Sequence, residues 1–281
     1  MKELNKIARD FVFLIYSFIL KKFCHLYKKE KFGQILKLIE INHTKFVISI
    51  ESRGYIEDKI LKHGDWSGNL LEICDYFIAE RTIIVDVGAN IGFESLYFAK
   101  KYPNCKIYSY EPTSYAFNSL KISKEINFLS NLTIYKLGLG ESEYNIEIHS
   151  PTSQTKNKGL SSIKNNYDLD STFEKEPIQV VSLDSHLKDE TKVSLIKIDT
   201  QGYELNILIG AKETIRRCKP VILFEHEDEY YENPKATRIE IFKILSACNY
   251  KIFVPSHNQV LKAINFEEIE YFNGDVFAVP I

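Results

Sequence analysis

The 281-residue sequence lacks most of the features that mark a specialised chain. Its five cysteines (Cys24, Cys74, Cys105, Cys218 and Cys248) are scattered, odd in number and form no CxxC pair. That argues against a disulfide framework and against a zinc site. Reduced thiols in a cytoplasmic protein are the simpler reading. The seven histidines show no metal-ligand spacing among themselves, and no metal is expected. Positive charge is not in excess: 36 Lys and Arg stand against 38 Asp and Glu, for a net charge of −2. The basic field of a general nucleic-acid binder is missing, so no nucleic-acid partner is expected. Internal repeats are absent. The apolar run Phe11 to Leu20 (FVFLIYSFIL) has ten residues, whereas a bilayer span needs about 20. No small-residue cleavage site follows it, which argues against a secretory signal. Lysines flank the run on both sides. Two readings of residues 1–30 stay open. One is a helix packed on the core or on a partner chain. The other is an interfacial helix resting on an anionic surface, here the inner face of the membrane.

What is present is ordinary globular composition, 44% hydrophobic and 26% charged. The length suits one large α/β domain with a short accessory region. Residues 1–77 read as that accessory, mostly helical, with a β-like stretch at Phe46 to Ile50. From residue 78 to 281 short β-branched runs alternate with amphipathic segments, the pattern of βαβ units. Strands are predicted at Thr82 to Val87, Lys106 to Glu111, Leu132 to Leu137, Val193 to Asp199, Pro220 to Glu225, Tyr250 to Val254 and Val276 to Val279. Helices are predicted at about Phe93 to Lys101, Ser114 to Ile126, Tyr203 to Arg217 and Ala236 to Cys248. Seven such strands make a doubly wound, mostly parallel α/β sheet of Rossmann-like type. A polar stretch at about 150–176, flanked by β-like runs, reads as a loop insertion: a lid, a binding loop or plain solvated chain.

The strongest local signal is Asp86-Val87-Gly88-Ala89-Asn90-Ile91-Gly92, between a predicted strand and a predicted helix. Glycines let the backbone turn sharply and approach a ligand closely. A dinucleotide fingerprint would read GxGxxG, and here Asn90 stands between Gly88 and Gly92. A pyrophosphate also seeks the positive end of the next helix. Glu94 lies there and would oppose it. S-adenosylmethionine has no phosphate and carries a positive sulfonium, so it suits this turn better. Glu111 ends the second predicted strand, where an acid can accept both hydroxyls of a ribose. Asp86, Gly88, Asn90 and Gly92 are expected to shape the methionine pocket. Gly138, in the turn Gly138-Leu139-Gly140, is either near the adenine or part of a plain turn.

These pieces resemble the FkbM-type family of class I S-adenosylmethionine-dependent methyltransferases. The resemblance rests on DVGANIG (86–92), YEP (110–112), NLTIYKLGLGE (131–141), GLSSI (159–163), VSLDS (181–185), IKIDTQGYELNILIGA (196–211), PVILFEH (220–226) and the closing DVFAVP. It implies methyl transfer from S-adenosyl-L-methionine, in many members to a hydroxyl of a sugar, glycan or natural product. Where the family has a glutamate after the fourth strand, this chain has Gln201. Glutamine keeps hydrogen bonding but is not a base. A hydroxyl acceptor needs a general base. The candidates are Asp199, with Lys197 on the same strand face, and Glu225 or His226 at the end of the fifth strand. Each also has a structural reading: Asp199 as a helix cap, Lys197 and Asp199 as an ion pair, His226 as a solvated loop residue. Glu204 is a first-turn helix acid or a site residue, and Asp184 is read as a helix cap. Two other functions stay open: a nicotinamide-dependent oxidoreductase, and a binding protein that keeps the cofactor fold without catalysis.

Overall fold

A computed structural model describes residues 35–50, 54–151, 173–256, 260–269 and 271–281. The apolar run at 11–20, the GLSSI segment and most of the insertion at about 150–176 lie outside the described residues.

The described chain begins with a hairpin, β1 (Ile35–Ile41) and β2 (Thr44–Ile50), paired antiparallel. Its turn residues Asn42 and His43 both have positive φ, 48° and 61°, as a two-residue turn matched to strand twist requires. Two short helices follow, α1 (Tyr55–His63) and α2 (Leu70–Asp75). The β-like stretch at Phe46 to Ile50 falls in β2, and the mostly helical reading of residues 1–77 is corrected over 35–45, where alternation and β-branching win.

The chain then alternates β3 (Ile83–Val87), α3 (Phe93–Lys101), β4 (Lys106–Tyr110), α4 (Ser114–Ile126) and β5 (Leu132–Tyr135). A separate three-stranded sheet comes next, from β6 (Gly138–Leu139), β7 (Tyr144–Pro151) and β8 (Phe173–Val181). The chain returns to the main sheet through α5 (Leu183–His186), β9 (Val193–Ile198), α6 (Glu204–Ile209), α7 (Lys212–Cys218) and β10 (Val221–His226). It closes with α8 (Pro234–Ala247), β11 (Tyr250–Pro255), β12 (Leu261–Ala263), α9 (Phe266–Ile269) and β13 (Gly274–Pro280).

The main sheet runs β12-β11-β13-β10-β9-β3-β4-β5. It has eight strands rather than the predicted seven, because the short β12 adds to the β11 edge. β3, β4, β5, β9 and β10 pair in parallel, while β13 is antiparallel to both β10 and β11. This is the Rossmann-like class I arrangement, with the direction of winding reversing between β3 and β9. Strand alternation sorts the core into two layers. Ile84, Leu195, Leu223 and Phe277 pack with the hairpin, α1, α2 and α3. Val85, Ile196, Ile222 and Phe224 pack with residues of α6, α7 and α8 on the other face.

The predicted helix at Tyr203 to Arg217 is split into α6 and α7. A Cβ on Gly210, at the break, would collide with the carbonyl oxygen of Gly140. Asp184 restarts the chain there, accepting from the N–H groups of Thr214 at 2.7 Å and Glu213 at 3.0 Å. It therefore caps α7, while Ser182 caps its own α5.

Candidate active site

A cleft of about 920 Å³ opens at the C-terminal ends of β3 and β9, the place where winding reverses and ligands bind in such sheets. The chain leaves β3 through Gly88 and Asn90, with φ of 73° and 50°. Only glycine fits at 88, since a Cβ there would collide with the carbonyl oxygen of Asp199. The N–H groups of Gly88 and Ala89 both donate to the Tyr110 carbonyl at 3.0 Å, tying the turn to β4.

Glu111 follows β4 and is buried. Its Oε2 accepts from Asn90 N–H at 2.9 Å, and its Oε1 from the N–H and hydroxyl of Thr113 at 2.9 and 2.6 Å. Burial pushes its carboxyl above the usual range, and these hydrogen bonds pull it back. Gly88, Asn90, Gly92, Glu111 and Gly138 all line the cleft. Gly138 does so from strand β6, not from a turn. Leu137, Leu139, Ile148 and Ile178 make this end apolar.

Asp86 does not line the cleft and so corrects the pocket assignment. It shares a strand face with Ile84 and is covered by α3. Ser95 donates to it at 2.5 Å, and Lys197 lies 3.5 Å away. Lys197 is its register partner on β9, and its Nζ also lies 3.6 Å from Asp199. Burial opposes the charge on Lys197, but Glu94, Asp86 and Asp199 together hold it well above the ordinary lysine value. Lys197 is thus a fixed cation and no base. Burial raises the carboxyl of Glu94, in the first turn of α3, against the pull of Lys197. Ser67 donates a short hydrogen bond to it.

Asp199 is about one-third exposed, at 31%, and lines the cleft. It caps no helix, because α6 begins only at Glu204. Glu204 is a structural group: it is buried and accepts from Thr200 and Gly202 N–H, both at 3.0 Å, and from the Tyr231 hydroxyl. It fixes the loop that carries Gln201, which lines the cleft with a φ of 55°.

Glu225 also lines the cleft. Burial and then the nearby Asp199, Asp275 and Glu227 push its carboxyl up to about 8. His226 is not at the cleft. As the next residue of the strand it faces the opposite side of the sheet, stacked on Tyr231 with ring centroids 4.4 Å apart. Burial and then the positive Arg238 push its imidazole down to about 4. His226 is therefore neutral and walled off from the site.

Several cleft residues escaped the sequence reading. Asp275 is the cross-strand partner of Glu225, and its carboxyl is pushed up to about 6 by burial and then Asp199. Glu229 and Tyr230 enter from the loop after β10. The far wall comes from Tyr55, Lys59, Trp66 and Ser67, all within the supposed accessory region. A parity argument on the closing strand would have found Asp275. Nothing local marks Trp66. Among the described residues no acid, histidine or cysteine cluster fits a metal ion, and no helix is long and apolar enough to cross a membrane.

Comparison with known proteins adds the following. The family described as "Methyltransferase FkbM domain" matches residues 86–252. Methyltransferase 1 of Beauveria bassiana is 24% identical over 144 residues, covering 46% of this chain and 58% of that protein. Methyltransferase sdnD of Sordaria araneosa is 28% identical over 156 residues, covering 46% of this chain and 60% of that protein. The matches thus span less than two thirds of either relative. The solved structure of methyltransferase FkbM from Methylobacillus flagellatus KT is 19% identical, covers 70% of this chain and 43% of its own, and superposes with a TM-score of 0.44. A SAM-dependent O-methyltransferase from Thermotoga maritima is 12% identical, covers 87% and 77%, and has a TM-score of 0.41.

Proposed function

The chain belongs to the FkbM methyltransferase family, and from that premise we propose that it uses S-adenosylmethionine to methylate a hydroxyl of a sugar, glycan or related small metabolite. One observation carries the cofactor reading. The helix end that would receive a pyrophosphate is crowded with acid: Glu94 in the first turn of α3, then Asp86 and Asp199 around Lys197. A phosphate would be repelled there, and a sulfonium would be stabilised. The rest of the cleft fits the same ligand. Glu111 offers carboxylate oxygens to a ribose, the turn at Gly88 has no Cβ to fill the space, and the Leu137–Leu139 end suits a flat apolar base. When bound, S-adenosylmethionine supplies a methyl group on a positive sulfur that leaves as a neutral thioether.

The chain's own residues must then place the acceptor oxygen and take its proton. Glu225 is the group best tuned for the proton, because its ordinary affinity is already raised to about 8. Asp199, beside the fixed Lys197 charge, is the orienting acceptor. Gln201 lines the same wall and can hydrogen-bond the acceptor but not take its proton. Since Glu225 must be ionised to act, kcat/KM is expected to rise with pH and level off above about 8. Glu225→Gln is expected to lower kcat by about a hundredfold or more and to abolish that limb, with cofactor affinity unchanged. An unaltered pH profile in this variant removes Glu225 as the base.

The cofactor reading itself is tested by calorimetric titration with S-adenosylmethionine, S-adenosylhomocysteine and NAD. Binding of the first two and not the third is expected. Binding of NAD alone would turn the reading to an oxidoreductase.

A further inference from the structure

Two carboxyl groups in the cleft have no close partner from the chain. Glu225 and Asp275 sit opposite each other on β10 and β13 and line the cleft. Among the described residues neither carboxyl makes a hydrogen bond or an ion pair within 4 Å. Asp199 and Glu229 line the same cleft. Among the described residues the one cation buried among them is Lys197; it draws on both carboxyls from a distance, but its close contacts are Asp86 and Asp199. On the far wall Tyr55 and Trp66 meet edge to face, with ring centroids 6.1 Å apart. The exposed Lys59 ammonium lies 4.8 Å from one ring centroid and 5.1 Å from the other. One cavity thus joins an aromatic pair that already holds an ammonium to a carboxyl pair with none in contact.

We propose that the acceptor carries a positively charged amine near the hydroxyl that is methylated, as an amino sugar or amino alcohol does. This rests on the methyl-transfer reading and narrows its substrate class. The ammonium answers the Glu225 and Asp275 carboxyls, and the ring enters along the Tyr55–Trp66 wall, whose faces attract cations. A neutral polyol would bring no charge to answer Asp199, Glu229 and Asp275, and an anion would be repelled by them. The cofactor's ammonium is balanced by its own carboxylate, and its sulfonium charge is spent in the transfer and absent from S-adenosylhomocysteine, so the acceptor amine is a separate charge.

The same arrangement couples binding to catalysis. Glu225 faces Lys197 and Asp199 from β9 and the turn beyond it, Asp275 from β13, Glu227 beyond its own strand, and Tyr230 and Tyr231 from the following loop. With no ammonium present, burial and then these acids keep Glu225 largely protonated at neutral pH. An arriving ammonium favours the ionised form, so Glu225 releases its proton to solvent and becomes the base.

The test uses the full chain saturated with S-adenosylhomocysteine at pH 7 and three matched probes: glucosamine, glucose and glucose 6-phosphate. Trp66 is the single tryptophan of the sequence, so its fluorescence reports from the cleft. Glucosamine is expected to bind about tenfold or more tighter than glucose, and the phosphate not to bind. The heat of glucosamine binding should vary with the ionisation enthalpy of the buffer, showing proton release. Asp275→Asn should remove the preference for glucosamine while keeping S-adenosylhomocysteine affinity. Equal binding of glucose, tighter binding of the phosphate, or no response to glucosamine overturns the proposal. Failure to bind S-adenosylhomocysteine would strike the methyl-transfer reading instead.

Discussion

Lys197→Met is expected to destabilise the protein by about 3–5 kcal/mol, the usual loss when one partner is removed from a buried charge set. Methionine matches the stem of lysine but leaves Asp86, Glu94 and Asp199 facing one another without a cation. Asp86 has no exposure at all, so water cannot replace the lost partner. The pH dependence separates this from a simple packing defect. Lys197 is held above its ordinary value, so its contribution is complete below the unfolded lysine value and is lost only in strong alkali. Across the neutral range it is constant. The carboxyl of Glu94, in contrast, is raised by burial and rises further once the cation is gone. On acidification Glu94 takes up a proton and the repulsion falls. The stability gap between wild type and variant, measured by urea unfolding, should therefore narrow from pH 8 to pH 5. A gap that is small or independent of pH would show that the carboxylates are not held by Lys197.

Glu111→Ala is expected to weaken S-adenosylhomocysteine binding by about a hundredfold, equivalent to about 2.7 kcal/mol. That is the scale of one or two hydrogen bonds to a charged group. Glu111 also organises the turn, since it receives the Asn90 N–H and both donors of Thr113. Glu111→Gln is the intermediate case. One accepting oxygen remains for Thr113, but the amide nitrogen then faces the Asn90 N–H donor, and the charge that strengthens a hydrogen bond to a ribose hydroxyl is lost. A loss of about tenfold is expected for glutamine. Calorimetry on both variants decides the matter: unchanged affinity in the alanine variant would remove Glu111 from the ribose contact.

Much of this was readable from residues in order. The parallel strands declared themselves because burial on both faces demands unbroken apolar runs such as those at 83–87 and 193–198. The helices Phe93–Lys101 and Ser114–Ile126 have the predicted ends. What was not readable depends on contacts far apart in sequence. The break at Gly210 exists because Gly140 lies against it, and no local pattern announces that approach. Trp66 and Tyr55 acquire a role only when α1 and its loop fold across the turn at Gly88. His226 is different: alternation along β10 already separates it from Glu225, so that error came from reading adjacency as proximity. The hairpin at 35–50 was also legible, in alternating β-formers around Asn42-His43.

β13 follows β11 in the chain yet lies between β11 and β10. During synthesis the ribosome delivers β10 and β11 first, and they cannot pair with each other in the native order. In the native sheet the two are joined only through residues 274–280. Asp275 arrives with that strand. Asp275 is therefore the one acid of the cleft that depends on this inserted strand, and a chain that holds the glycine turn and Glu111 but not the inserted strand has no complete place for an acceptor.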